Sequence, residues 1–93
     1  MNLVSEAGNS RNLTASAQVL AGKGYLLGIF VATAANSPTI KVWDSLSAAG
    51  GVIANTFVPV AGTFYPLPFI CGTGIYVTIA NDVDCTVSYR GNV

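Results

Sequence analysis

The sequence has no histidine and few charged residues. Without histidine, the commonest general base, the usual catalytic triads and histidine-containing zinc sites are excluded. The charged residues make up 9% of the chain, against about 25% in an ordinary soluble domain, and their net charge is zero. They are Glu6, Arg11, Lys23, Lys41, Asp44, Asp82, Asp84 and Arg90. We expect neither a nucleic-acid nor a membrane partner, because the chain has no basic patch to bind phosphates or anionic lipid.

A small domain with so few charged residues and no net charge is poorly protected against self-association. Two interpretations remain open. The seven serines, eight threonines and seven asparagines could keep the surface solvated. Alternatively, much of the surface is buried against copies of the chain or against another protein, and this second interpretation is the one we favour.

Cysteine is also scarce, with only Cys71 and Cys85. The first residues show neither the basic nor the apolar region of a secretion signal, so we expect two reduced, packed thiols rather than a disulfide. Two cysteines alone cannot build a four-cysteine zinc site. The most apolar stretch, residues 25–35, is too short for a membrane-spanning helix.

From residue 13 onward the pattern is typical of β-strands, with glycine, proline and asparagine between them. The alternation in residues 39–44 places Ile40 and Val42 on one face. Gly28, inside a long apolar run, indicates a bulge or a close backbone approach, and Pro66 and Pro68 indicate an edge strand or an extended crossover. The expected strands are residues 13–15, 18–20, 25–34, 39–44, 52–58, 64–69, 75–79 and 85–89.

The breaks between these strands complete the expected fold. We expect turns at residues 21–24, 59–62 and 72–74, a break at 36–38, a loop at 45–51 and a polar hairpin turn at 81–84. About seven or eight short strands predict an all-β fold, an antiparallel β-sandwich or jelly-roll-like barrel. Residues 13–93 form the single β domain. We expect residues 1–12 to form an N-terminal arm, with Leu3 and Val4 as possible anchors, that is either ordered on a partner, swapped between copies or disordered.

Two sets of side chains are candidate binding sites. Asp82 and Asp84 could bind calcium, but a solvated hairpin turn explains them better, because further oxygen ligands are missing. A sugar-stacking surface could be built from four aromatic residues, although aromatics in a small β domain are more often core or interface anchors. These four are Trp43, Tyr65, Tyr76 and Tyr89. The sequence therefore predicts no catalytic, cofactor-binding or metal-binding residue, and a protein that is not an enzyme.

The order of the strand motifs resembles a known class of proteins. Those motifs are YLLGIFV (25–31), TIKVWD (39–44), VIANTF (52–57), FYPLPF (64–69), TGIYVTI (73–79) and CTVSY (85–89). Together they resemble small virion structural proteins of tailed bacteriophages and prophages, most closely the capsid decoration, or cement, proteins. The resemblance covers about residues 13–90 and carries no functional residue that can be transferred.

The resemblance implies a small β fold that trimerises between capsomers and braces the shell. Its partners would be copies of itself and the major capsid protein. Its location would be the capsid surface of the virion, after assembly in the host cytoplasm. Two alternatives stay open: a neck, tail or fibre component of the virion, and a small carbohydrate- or receptor-binding β module.

Overall fold

A computed structural model describes residues 8–91 of the chain, and within that range the predicted all-β class is confirmed. Six strands pair into one antiparallel sheet, and none of the described residues is helical. No segment in this range is therefore a helix that could cross a membrane. The strands are β1 (Asn9–Leu13), β2 (Ala17–Ala21), β3 (Gly24–Ser47), β4 (Ala49–Phe57), β5 (Thr63–Cys71) and β6 (Gly74–Gly91).

Two long strands, β3 and β6, pair with each other along almost their whole length and carry the other four. The first half of β3 also pairs with β5, and its second half pairs with β4. In the same way, β6 pairs first with β2 and then with β1. Each of the four shorter strands therefore has a single neighbour and lies at an edge.

The predicted strand break at residues 36–38 and the predicted hairpin turn at 81–84 are both wrong, because β3 and β6 run through these positions. Both strands continue through these points, which explains why there are six strands rather than seven or eight. Asn36, Ser37 and Asn81 adopt positive φ angles of 58°, 58° and 67°, and the β3–β6 register shifts there. Asn81 Nδ2 donates to the Ser37 carbonyl at 2.6 Å, and Asn36 Nδ2 donates to Asp82. The polar residues thus bend two paired strands together instead of ending them.

Other expected boundaries also shift. The expected loop at 45–51 is a tight hairpin, in which Asp44 pairs with Gly51 and Gly50 takes the positive φ that the reversal requires. Residues 14 and 15, expected in a strand, form a bend after β1. Residues 9–12, expected in the arm, lie in β1 opposite β6. Leu3 and Val4, the expected anchors, lie outside the described residues.

The buried side chains form one cluster that draws on both sides of the bend. The predicted alternation in residues 39–44 is confirmed, because Ile40 and Val42 share one face and are fully buried, while Lys41 and Trp43 on the alternate face are only half-buried. The cluster excludes water from one face of each long strand. Its members are Leu13, Val19, Leu26, Ile29, Val31, Ile40, Val42, Cys71, Ile75, Val77, Val83, Cys85 and Val87.

Candidate functional site: an exposed apolar strip along strand β5

Large apolar side chains remain exposed along β5, on the loop before it and on the neighbouring part of β3. Their exposed fractions range from 44% to 76%. Neither β5 nor β4 contains a charged residue, because the sequence has none between residues 45 and 81. We call these residues the β5 strip: Phe30, Val58, Val60, Phe64, Phe69 and Ile70.

A glycine in β3 allows one end of the strip to form. The predicted irregularity at Gly28 is confirmed, because the register shifts between Leu26 and Gly28 in both ladders of β3. A Cβ atom at Gly28 would lie 2.3 Å from the ring of Phe64 and 2.8 Å from the carbonyl oxygen of Tyr65. The tip of the Phe64 ring therefore lies over the backbone of Gly28, and Phe64 is the cross-strand partner of Phe30.

The loop between β4 and β5 holds the two valines of the strip in place. Gly62 N donates to the Val31 carbonyl at 2.7 Å, and Val60 N donates to the Tyr65 hydroxyl at 2.9 Å. The Tyr65 ring packs against Phe57 with a centroid distance of 5.1 Å. These contacts fix the path of the loop, so Val58 and Val60 are exposed on a fastened segment.

The predicted edge position of the proline-containing strand is confirmed, because β5 pairs only with β3. Proline has no backbone N–H, so Pro66 and Pro68 remove two donors from this edge. An exposed strand edge with free donors and acceptors invites pairing with another chain, and proline is one of the ways in which proteins prevent it. The β5 edge therefore offers apolar side chains rather than a hydrogen-bonding template.

The four aromatic residues of the possible sugar-stacking surface do not form one surface. Trp43 and Tyr76 are cross-strand partners on β3 and β6. The Trp43 indole donates to Thr78 Oγ1 at 2.9 Å, and the Lys41 ammonium lies 4.1 Å from the ring centroid. Tyr65 and Tyr89 are instead half-buried and packed against the core cluster.

The two aspartates of the possible calcium site each accept a hydrogen bond from an asparagine side chain of this chain. Asn36 donates to Asp82, and Asn12 Nδ2 donates to Asp84 Oδ1 at 2.7 Å. They lie within β6, opposite Ala35 and Thr33, and not in a hairpin turn. Among residues 8–91, no three histidine, cysteine, aspartate or glutamate side chains come together as a possible metal site.

Asp44 lies at the Ile70 end of the strip and stabilises the turn between β5 and β6 by hydrogen bonds. Its Oδ1 accepts from Thr73 N at 2.8 Å and Gly74 N at 3.2 Å, and its Oδ2 accepts from Gly72 N at 3.1 Å. Desolvation raises the pKa of this carboxyl, but the three backbone hydrogen bonds outweigh it and leave the pKa below 3.8. Asp44 also borders a shallow depression of about 330 Å³ that Val52 and Ile70 line.

Both cysteines are free and buried, as expected for reduced, packed thiols. Burial, together with the nearby charge of Asp44 for Cys71 and of Asp84 for Cys85, raises the pKa of each thiol to about 11. Both thiols are therefore protonated near neutral pH, which makes them poor nucleophiles and poor metal ligands.

Comparison of the chain with protein-family models, with curated proteins and with solved structures finds no match. The β5 strip is therefore identified as a candidate site from its geometry alone. Two signals in the sequence point to it: the uncharged run of residues 45–81 and the prolines at 66 and 68. Its individual members could not be chosen from the sequence, because residues 64–71 are all apolar and show no alternation of polar and apolar side chains.

Proposed function

We propose that this protein is a non-enzymatic structural component of a tailed-phage virion, specifically a capsid decoration subunit that binds between capsomers as a homotrimer. The observation that carries the proposal is the β5 strip on a chain with almost no charge. A protein that braces a shell needs contact area rather than reactive groups, and an uncharged apolar strip on a rigid sheet supplies such area. The major capsid protein would be its second partner.

We further propose that the bent sheet is a β-sandwich of the jelly-roll-like kind expected for such proteins. Bending β3 and β6 at the same level lets the sheet fold back on itself. Two features support this arrangement. The buried side chains of both halves belong to one cluster, and the molecule is only 17 Å thick. Two packed sheets lie about 10 Å apart, which fits that thickness.

The number of copies in a virion tests the proposed role. In particles of a phage or induced prophage that encodes this chain, quantitative mass spectrometry should find hundreds of copies relative to the major capsid protein. A count of about six or twelve would instead support the neck, tail or fibre alternative, whose components follow the symmetry of the portal and tail. Absence from purified virions would reject both.

The carbohydrate-binding alternative has less support. Trp43 and Tyr76 are neighbours, but the Trp43 ring already carries the Lys41 ammonium and donates its indole N–H to Thr78. Tryptophan fluorescence gives a direct measurement, since the chain has a single tryptophan. Quenching or a spectral shift on titration with glycans would favour that alternative over a decoration role.

A further inference from the structure

We propose that the β5 strip is the surface through which copies of this chain bind one another, and that they do so by packing side chains face to face. This inference deepens the proposed function, because it assigns a place to the self-association on which that function rests. The occupant we commit to is a second copy of the chain. Capsid protein on this strip is the competing outcome.

The area of the strip is the first argument. Phe69 pairs with the buried Leu26 and so lies on the core face of the sheet, whereas Phe30, Phe64 and Ile70 lie on the opposite face. A fully exposed phenylalanine offers about 150–250 Å² and a valine or isoleucine less, so the other five residues of the strip present about 500 Å². The largest apolar patch on a typical monomer is about 300–600 Å². A standard stable interface needs about 800 Å² from each partner, and the surrounding half-buried and backbone atoms would supply the remainder.

The neutrality of the strip is the second argument. A foreign partner is usually selected by complementary charge, which sets specificity and association rate. Neither β4, β5 nor the loop between them has a charge to offer. The charges that border the strip, Asp44 and Arg90, both lie at its Ile70 end and have opposite signs. Two copies meeting over the rest of the strip would bring no like charges together.

The prolines decide the mode of association. A copy could add to an open sheet edge by strand pairing only where backbone donors are available. Pro66 and Pro68 interrupt those donors in the middle of β5. The rings of Phe30 and Phe64 and the side chain of Ile70 are then the groups that a partner can cover.

Two lysine variants and one matched control test the inference. Ile70→Lys and Val58→Lys each place a charge at a highly exposed strip position, with exposures of 76% and 67%. Leu46→Lys places the same charge at an apolar residue 53% exposed but located in the β3–β4 hairpin, outside the strip. Sedimentation velocity at micromolar concentration measures the mass of each, and far-ultraviolet circular dichroism verifies that each is folded.

We expect the wild-type protein and Leu46→Lys to be oligomers of equal mass. Each strip variant should be a folded monomer, with a dissociation constant raised at least about 30-fold, as at an interface hot spot. A monomeric wild-type protein, strip variants that keep the oligomer, or dissociation by Leu46→Lys would each overturn the inference.

The inference and the proposed function fail in different ways. Oligomers that depend on the strip, formed by a chain absent from virions, would leave the inference standing and reject the decoration role. A wild-type monomer that binds assembled capsids, and loses that binding in Ile70→Lys, would assign the strip to the capsid protein and overturn the inference. A strip-dependent dimer would support the inference and contradict the trimer.

Discussion

One row of cross-strand partners crosses the sheet and changes character halfway. On β1 and β6 the partners are Asn12 and Thr86, and on β3 and β5 they are Phe30 and Phe64. The Asn12 amide donates to Asp84, to the Cys85 carbonyl and to Thr86, so the polar side satisfies its own groups. The β5 side has exposed rings instead. One side of the sheet thus bonds its polar groups within the chain, whereas the other leaves large apolar side chains exposed to solvent.

Both sides depend on a buried layer that they share, and removing part of it should have the largest effect. Leu26 is 1% exposed and pairs with Tyr89 on one side and Phe69 on the other. Leu26→Ala should lower the free energy of unfolding by about 2–5 kcal/mol, through lost transfer energy and a cavity. Leu46→Ala, in an exposed position, should cost under about 1 kcal/mol. Urea titration measures both, and equal losses would contradict the buried layer.

A methyl group added at Gly28 should lower the free energy of unfolding by disturbing the apolar side of the sheet alone. Gly28→Ala would force its Cβ against the Phe64 ring and the Tyr65 carbonyl oxygen, so we expect a loss of about 1–3 kcal/mol. Gly72→Ala is the control, since its Cβ would lie 4.0 Å from the nearest atom, Asp44 Oδ2. Adding Phe64→Ala to Gly28→Ala should recover part of the loss in a double-mutant cycle. Full additivity would show that the ring does not lie on Gly28.

The polar side should respond to loss of the Asn12 amide. Asn12→Ala removes the donor to Asp84 and to the Cys85 carbonyl, and we expect a loss of about 1 kcal/mol in urea titration. Because Asn12 lies away from the β5 strip, the mass of the protein in solution should stay the same. A change of oligomeric state in this variant would mean that β1 and β6 also belong to the interface.

The smallest effect should come from the carboxylate at the end of the strip. The pKa of Asp44 is lower in the folded than in the unfolded chain, because three backbone N–H groups bind its ionised form. Its stabilisation is therefore complete above pH 3.8 and is lost as the pH falls through the lower, folded value. Thermal melts of wild type and Asp44→Asn should differ at pH 6 and converge toward pH 2. A constant difference would contradict this role.

Much of the fold could be predicted from the sequence because burial on a strand follows a period of two. That rule correctly placed Ile40 and Val42 on one face and Lys41 on the other, and the structure shows that the first of these faces is buried. It failed at Asn36 and Asn81, because the same residues that end a strand can also bend it when their amides bind the neighbouring strand. That distinction depends on a partner strand far away in the sequence.

The strip was less predictable than the fold. The uncharged run and the two prolines predict an uncharged edge strand. The position of the Phe64 ring depends on Gly28, because a side chain there would occupy the space that the ring fills. Exposure at Val58 and Val60 depends on the bonds that fasten their loop to Val31 and Tyr65. Neither relationship leaves a periodic trace.

The pairing of β1 and β2 with β6 also sets an order of events as the chain folds. Asn9 pairs with Tyr89, and Ala17 pairs with Val77. The hairpin of β3 and β4 can close early, but the first two strands have no neighbour until β6 has left the ribosome. Such distant pairing slows folding, because long loops must close before their contacts form. Until then the apolar surface of a nascent chain is exposed to solvent. We therefore expect the yield of folded protein to fall steeply when many chains are synthesised at once.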